Sequence, residues 1–164
     1  MYFKIKSIQH SLMSISKICL FRTFISSDKL KMPYSVRFRK RFNIEITNTG
    51  KLEIGNHVFF NNDVSINVLE SVKIGDYTMV GENVKIYDHD HEFKLGEKPF
   101  ALQGFKTQGI TIGKNVWIGA DCLILKGVTI GDDCVIAGGS TVVKDIPSGT
   151  IYYNEISARL KELN

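Results

Sequence analysis

Two histidines separated by one residue stand in the run Tyr87-Asp88-His89-Asp90-His91-Glu92. Imidazole titrates near neutrality, so its neutral form can take the proton from an attacking hydroxyl. Asp88, Asp90 or Glu92 can orient such a ring and stabilise the imidazolium that forms. The bland reading of the pair is a solvated turn. With His57 they make three of the chain's four histidines, and three is also the number a catalytic zinc site takes. The cysteines offer less. Cys19, Cys122 and Cys134 form no Cys-x-x-Cys pair and are odd in number, so neither a disulfide framework nor a zinc cage is indicated. Cys122 and Cys134 stand among apolar residues and read as small core residues in a reducing compartment.

What must position the histidines is a repeat. Every sixth residue is apolar through Ile54, Phe60 and Ile66, then, after a skip of two, through Ile74, Val80 and Ile86. The series resumes at Ile112 and continues through Ile118, Ile124, Ile130, Ile136 and Val142. Glycine follows at Gly55, Gly75, Gly81, Gly113, Gly119 and Gly131, and a small or β-branched residue recurs four places on, from Val58 to Ile146. A period of six suits neither an amphipathic helix nor a hairpin meander. It suits short strands with a turn every six residues, three strands closing a coil of about 18 residues, and coils stacking as a parallel β-helix. Gly, Asn and Asp are expected at the turns because positive φ is cheap for them. The register extends back through Val36, Phe42 and Asn48, with Ile46 and Leu52 inside. The repeat steps themselves hold no proline, which suits unbroken ladders.

Between Ile86 and Ile112 the rhythm stops. A solenoid accepts an insertion only as a loop leaving one corner, and such loops commonly line the binding face. Residues 87–109 are therefore expected to project, and both His89 and His91 lie where they leave.

These motifs resemble those of the hexapeptide-repeat acetyltransferases of the maltose and galactoside type. The resemblance rests on Ile110-Thr111-Ile112-Gly113-Lys114-Asn115-Val116-Trp117-Ile118-Gly119, on Gly127-Val128-Thr129-Ile130-Gly131-Asp132, and on Val142-Val143-Lys144-Asp145-Ile146-Pro147. It covers residues 34–150. It implies a single left-handed parallel β-helix, a handedness that the period alone does not give, and a closed homotrimer with sites shared between subunits. It also implies transfer of an acetyl group from acetyl-CoA to a hydroxyl, with the histidine five places after Ile86, His91, as general base. His89 then orients the ring or meets the acceptor. The paired form Asp-His-Asp-His is closer to relatives acting on surface or capsular polysaccharides, so a sugar or polysaccharide acceptor is expected.

In such proteins the pantetheine arm runs along late coils between two subunits. The matching positions are Gly119, Ala120, Gly138 and Gly139, with Trp117 stacking in the groove, Lys144 near the phosphates, and Arg159 as a further phosphate ligand. No metal is required. Two features depart from the family pattern. Glu92 follows the histidine where proline is usual, and only Ala158-Arg159 survives of a Gly-Asn-Pro-Ala-Arg/Lys ending.

Composition frames the alternatives. Apolar residues make up 43% of the chain, enough for a sizeable core. Residues 1–41 carry ten Lys/Arg and a single acid, Asp28, for a net of +9; residues 42–164 carry eleven Lys/Arg and sixteen acids, for −5. Residues 1–33 lie outside the repeat, and Ile5, Ile8, Leu12, Ile15 and Ile18 have helical spacing. They are read as a cap for the first coil whose cations could also meet an anionic membrane face or an acidic neighbouring subunit. Residues 151–164 are read as a tail, with a second short helix over 155–163. No apolar run reaches membrane-spanning length and no signal peptide is evident, so a cytoplasmic protein is expected, at most touching the inner face of the membrane, with no nucleic-acid partner. Xenobiotic and serine O-acetyltransferases are the nearest competing activities. A zinc hydratase of the γ-carbonic anhydrase type and a non-catalytic scaffold are the more distant ones.

Overall fold

The computed structural model describes residues 14–21, 23–96 and 98–155. Three parallel sheets of five, six and five strands form the walls of a triangular prism, wound as a left-handed β-helix. On the first wall Leu30 lies opposite Leu52, Leu52 opposite Val72, Val72 opposite Ile110, and Ile112 opposite Ile130. The coils therefore advance by 22, 20, 38 and 18 residues. The step of 38 is one ordinary coil plus the insertion. The skip of two in the sequence series marks the coil of 20.

The inward series is buried as the period of six requires. Phe60, Ile66, Val80, Ile86, Ile118, Ile124, Ile136 and Val142 are essentially inaccessible, and so are the corner residues Val58, Val64, Val84, Val116, Cys122, Val128 and Cys134. Two corner positions are polar. The buried hydroxyl of Thr78 donates to Gly113 O at 2.9 Å and accepts from Val116 N at 3.3 Å, so its polarity is satisfied. Burial of the Cys122 thiol pushes its pKa up, which keeps it an inert core residue. In the wider first coils the interior is filled by stacked rings, Phe42 lying 4.8 Å from Phe38 and 4.6 Å from Phe60. Val36 and Phe42 are inside as expected, whereas Asn48 is exposed; the true equivalents of Phe60 and Ile66 one coil back are Phe38 and Ile44.

The glycines work differently from the expectation. Positive φ falls two places after them, at His57, Tyr77, Asn83, Asn115, Asp121 and Asp133. The glycines are required by space instead. A Cβ on Gly75 would sit 2.6 Å from the Gly113 backbone, and one on Gly81 would sit 2.7 Å from Ala120 N. Coils touch at these corners, backbone against backbone.

The β-helix reaches further at both ends than the repeat alone suggests. Leu30–Lys31, in the segment read as an arm, already pairs with Lys51–Ile54, and Ile151–Tyr152 pairs with Val135–Ile136. Residues 14–21 and 23–24 are helical and cover the first coil through Ser14, Ile18 and Phe21. The expected helical positions Ile5, Ile8 and Leu12, and the helix over 155–163 beyond Glu155, lie outside the described residues.

Candidate functional site

The chain passes the three walls in a fixed order, so each wall faces the corner between the other two. The insertion leaves the corner between the third wall (Lys85–Tyr87) and the first (Ile110–Ile112). It opens as an antiparallel ribbon rather than as an irregular loop. His89–His91 pairs with Phe105–Thr107, placing His89 opposite Thr107, Asp90 opposite Lys106 and His91 opposite Phe105. Alternation along a strand puts His89 and His91 on one side of the ribbon and Asp90 on the other.

Asp88 fixes the root of the ribbon. Its side chain is fully buried and accepts hydrogen bonds from the N–H groups of Leu69 at 2.9 Å and Glu70 at 2.8 Å, at the same corner one coil earlier. Its Oδ1 also lies 3.2 Å from Nδ1 of His89. With Nδ1–H donating to that carboxylate, the His89 lone pair is on Nε2. The His89 side chain is only 16% exposed and packs edge-on against Phe105, with ring centroids 5.2 Å apart. Phe105 in turn lies 4.5 Å from the ring of His91, which is exposed. Asp88, His89, Phe105 and His91 thus form a continuous row from the buried turn to the surface.

Asp90 does not face an imidazole. Its carboxylate pairs with the ammonium of Lys126, one coil beyond the insertion. Lys126, Lys106, Lys94, Asp90, Glu92 and Phe93 line, with His91, an open groove of about 480 Å³. Lys126 and Phe105 escaped the sequence reading. Phe105 lies in the stretch that has no period, and Lys126 meets Asp90 only because Leu125 is in register with Tyr87 across the insertion.

Of the positions assigned to coenzyme A, the structure brings four together at the corner between the second and third walls. Gly139 N donates to Ala120 O at 2.8 Å, and a Cβ on Gly119 would meet Gly138 N at 2.5 Å. Trp117, 54% exposed, lies on the adjoining second wall. Lys144 lies elsewhere, on the corner that carries the insertion, where the register places it one coil beyond Lys126. Arg159 lies outside the described residues. His57 occupies a different corner from His89 and His91 and stacks on Tyr77 at 5.0 Å. Among the described residues no three His, Cys, Asp or Glu side chains converge as a metal-binding group.

The second wall has an unusual outer surface. Its in-register outward residues are Phe59, Met79, Trp117, Val135 and Ile151, one per coil, ending in Arg37. Met79, Trp117 and Ile151 are half or more exposed. The equivalent row on the first wall reads Lys31, Glu53, Lys73, Thr111 and Thr129, as a solvated sheet does. The apolar wall is the one opposite the insertion corner. The prism interior therefore separates His91 from Trp117 within a single chain, and the width of the third wall separates it from Gly119 and Ala120.

Comparison with known proteins agrees with this architecture. Residues 109–144 match the family described as bacterial transferase hexapeptide (six repeats). Nodulation protein L of Rhizobium meliloti (strain 1021) is 45% identical over 98 residues, covering 60% of this chain and 52% of that protein. The chain thus spans about half the length of that curated relative. Among solved structures, a hexapeptide-repeat-containing acetyltransferase from Vibrio cholerae superposes with a TM-score of 0.67 at 25% identity, covering 89% of this chain and 82% of that one. A galactoside acetyltransferase in complex with coenzyme A superposes with a TM-score of 0.57 at 30% identity, covering 71% and 59%. With its inward period of six, its close-packed glycine corners and its one inserted ribbon, the chain has the left-handed β-helix and, over residues 109–144, the repeat of the bacterial transferase hexapeptide proteins it is similar to.

Proposed function

We propose that the protein is an acetyl-CoA-dependent O-acetyltransferase acting on a hydroxyl of a sugar, within surface or capsular polysaccharide biosynthesis in the cytoplasm. His91 acts as general base. The observation that carries the reading is the exposed His91 ring at the mouth of a polar groove, held through Phe105 by the buried Asp88–His89 pair. The acceptor oxygen attacks the thioester carbonyl carbon as neutral His91 takes its proton; the C–O bond forms, the C–S bond breaks, and the proton passes to the departing thiolate to give coenzyme A. No covalent enzyme intermediate is needed when both substrates are held together. The similarity to a galactoside acetyltransferase solved with coenzyme A supports both donor and acceptor class.

A closed homotrimer completes the site in this reading. The apolar row on the second wall favours burial against another copy. Docking the insertion corner of one copy against the second wall of the next brings His91 and Lys144 to Trp117, Gly119, Ala120, Gly138 and Gly139. Such a heterologous contact closes into a ring. Lys144 then serves as a point charge for the coenzyme A phosphates.

The test is release of free thiol from acetyl-CoA across a panel of sugars and oligosaccharides. Sugar-dependent thiol release with an acetylated product supports the proposal. Transfer only to serine or to an antibiotic, or no release with any acceptor, overturns it.

A further inference from the structure

The helical residues 14–21 and 23–24 present two different sides. Ser14, Ile18 and Phe21 pack onto the first coil, and the Ser14 hydroxyl exchanges 3.1 Å hydrogen bonds with the backbone of Phe38. This is capping, and it uses only part of the helix. Leu20 and Phe24, one turn apart, are left 55% and 79% exposed. A segment that served only as a cap has no use for a leucine and a phenylalanine turned to water.

The cap segment and the first coil beneath it are rich in cations. Lys17, Lys29, Arg37, Arg39 and Lys40 have no carboxylate ion-pair partner among the described residues, whereas Lys31 and Arg41 are neutralised by Glu53 and Asp63. The single acid in the first 41 residues, Asp28, is held by the Ser26 hydroxyl. The rest of the chain is net acidic. Exposed apolar side chains on the cap, at the end of the prism whose first coil carries cations without carboxylate partners among the described residues, match the interfacial zone of an anionic bilayer. There the apolar tips enter the acyl boundary and the cations meet lipid phosphates. An acidic protein surface would answer the charge but would leave Leu20 and Phe24 without an apolar host.

We infer that the first-coil end of the β-helix, through Leu20, Phe24 and the Lys and Arg residues of the cap and first coil, docks the protein on anionic phospholipid membrane. Each cation brought close to such a surface raises partitioning about fivefold, and the two apolar side chains together add about tenfold or more.

Flotation of the full chain with vesicles tests this. Vesicles of phosphatidylcholine with phosphatidylglycerol should carry the protein to the top of the gradient, pure phosphatidylcholine should not, and added salt should weaken binding. The double variant Leu20→Ser with Phe24→Ser should lose about tenfold in partitioning, and Lys17→Gln with Lys29→Gln should lose more at low salt than at high. Far-UV circular dichroism should show both variants folded, and soluble-acceptor acetyl transfer should be unchanged, so that the docking and the proposed activity are read separately. Absence of binding to anionic vesicles overturns the inference. Equal binding to neutral vesicles overturns it too, as does a double variant that floats like the parent. If light scattering shows that the double variant instead breaks an assembly of copies, the patch is a protein contact and the inference fails.

Discussion

The Asp88 carboxylate lies 3.2 Å from Nδ1 of His89 while it accepts two backbone N–H groups from the preceding coil. One buried side chain thus ties three things together: the turn at Leu69 and Glu70, the coil that precedes the insertion, and the tautomer of the first histidine. Among the described residues His91, two residues on, has no such carboxylate anchor and meets the row at the tilted ring of Phe105, centroids 4.5 Å apart.

Replacing Asp88 should therefore be felt first in stability. Asp88→Ala removes two charge-assisted hydrogen bonds from part-buried N–H donors, at about 1–3 kcal/mol each. Urea unfolding should show a loss of about 2–6 kcal/mol. Asp88→Asn keeps one acceptor oxygen and should lose less. Wild-type stability in the alanine variant would mean that the two N–H groups find other partners.

The two histidines should separate kinetically. His91→Ala should lower kcat by roughly 10²–10⁴, the usual worth of a positioned general base, with coenzyme A affinity nearly intact. His89→Ala should cost less and act mainly through the acceptor KM, because His89 is mostly covered and already committed to Asp88. A dead His89→Ala enzyme beside an active His91→Ala enzyme assigns the base to the first histidine.

Assembly should depend on the second wall. Light scattering should give three times the 18.5 kDa chain mass for the parent. Met79→Glu with Ile151→Glu puts charge into the apolar row and should yield folded monomers without acetyl transfer, since His91 and Trp117 lie on opposite sides of one prism. An active monomer would show that one chain holds a whole site.

Two glycines should respond for different reasons. Gly75→Ala drives a Cβ against the Gly113 backbone and should destabilise by about 1–3 kcal/mol through overpacking. Gly96, at φ +80° with open space around it, should lose only about 1 kcal/mol as alanine, through backbone strain. Thermal melts of the two variants, ranked, check the assignment.

The sequence by itself determined the β-helix, because a solenoid repeats the same local environment in every coil and so writes its period directly into the chain. Ile54, Phe60 and Ile66 sit inside for the same reason as Ile118, Ile124 and Ile130. It also located the insertion, since a broken period is visible without coordinates. What occupies the turns was only half legible. Gly75 and Gly81 signalled corners, but that they answer backbone contact between coils, while Tyr77 and Asn83 take the positive φ, depends on stacking. The site itself was decided by tertiary structure. Residues 92–109 have no period, so nothing in their order says that Phe105 returns to lie across from His91. Nor does the chain show that Asp90 is claimed by Lys126, or that Lys144 shares the histidine corner while Gly119, Ala120, Gly138 and Gly139 share another. Those pairings arise from coil register, which sets residues 18 or 38 positions apart side by side, and from the order of three walls around one axis.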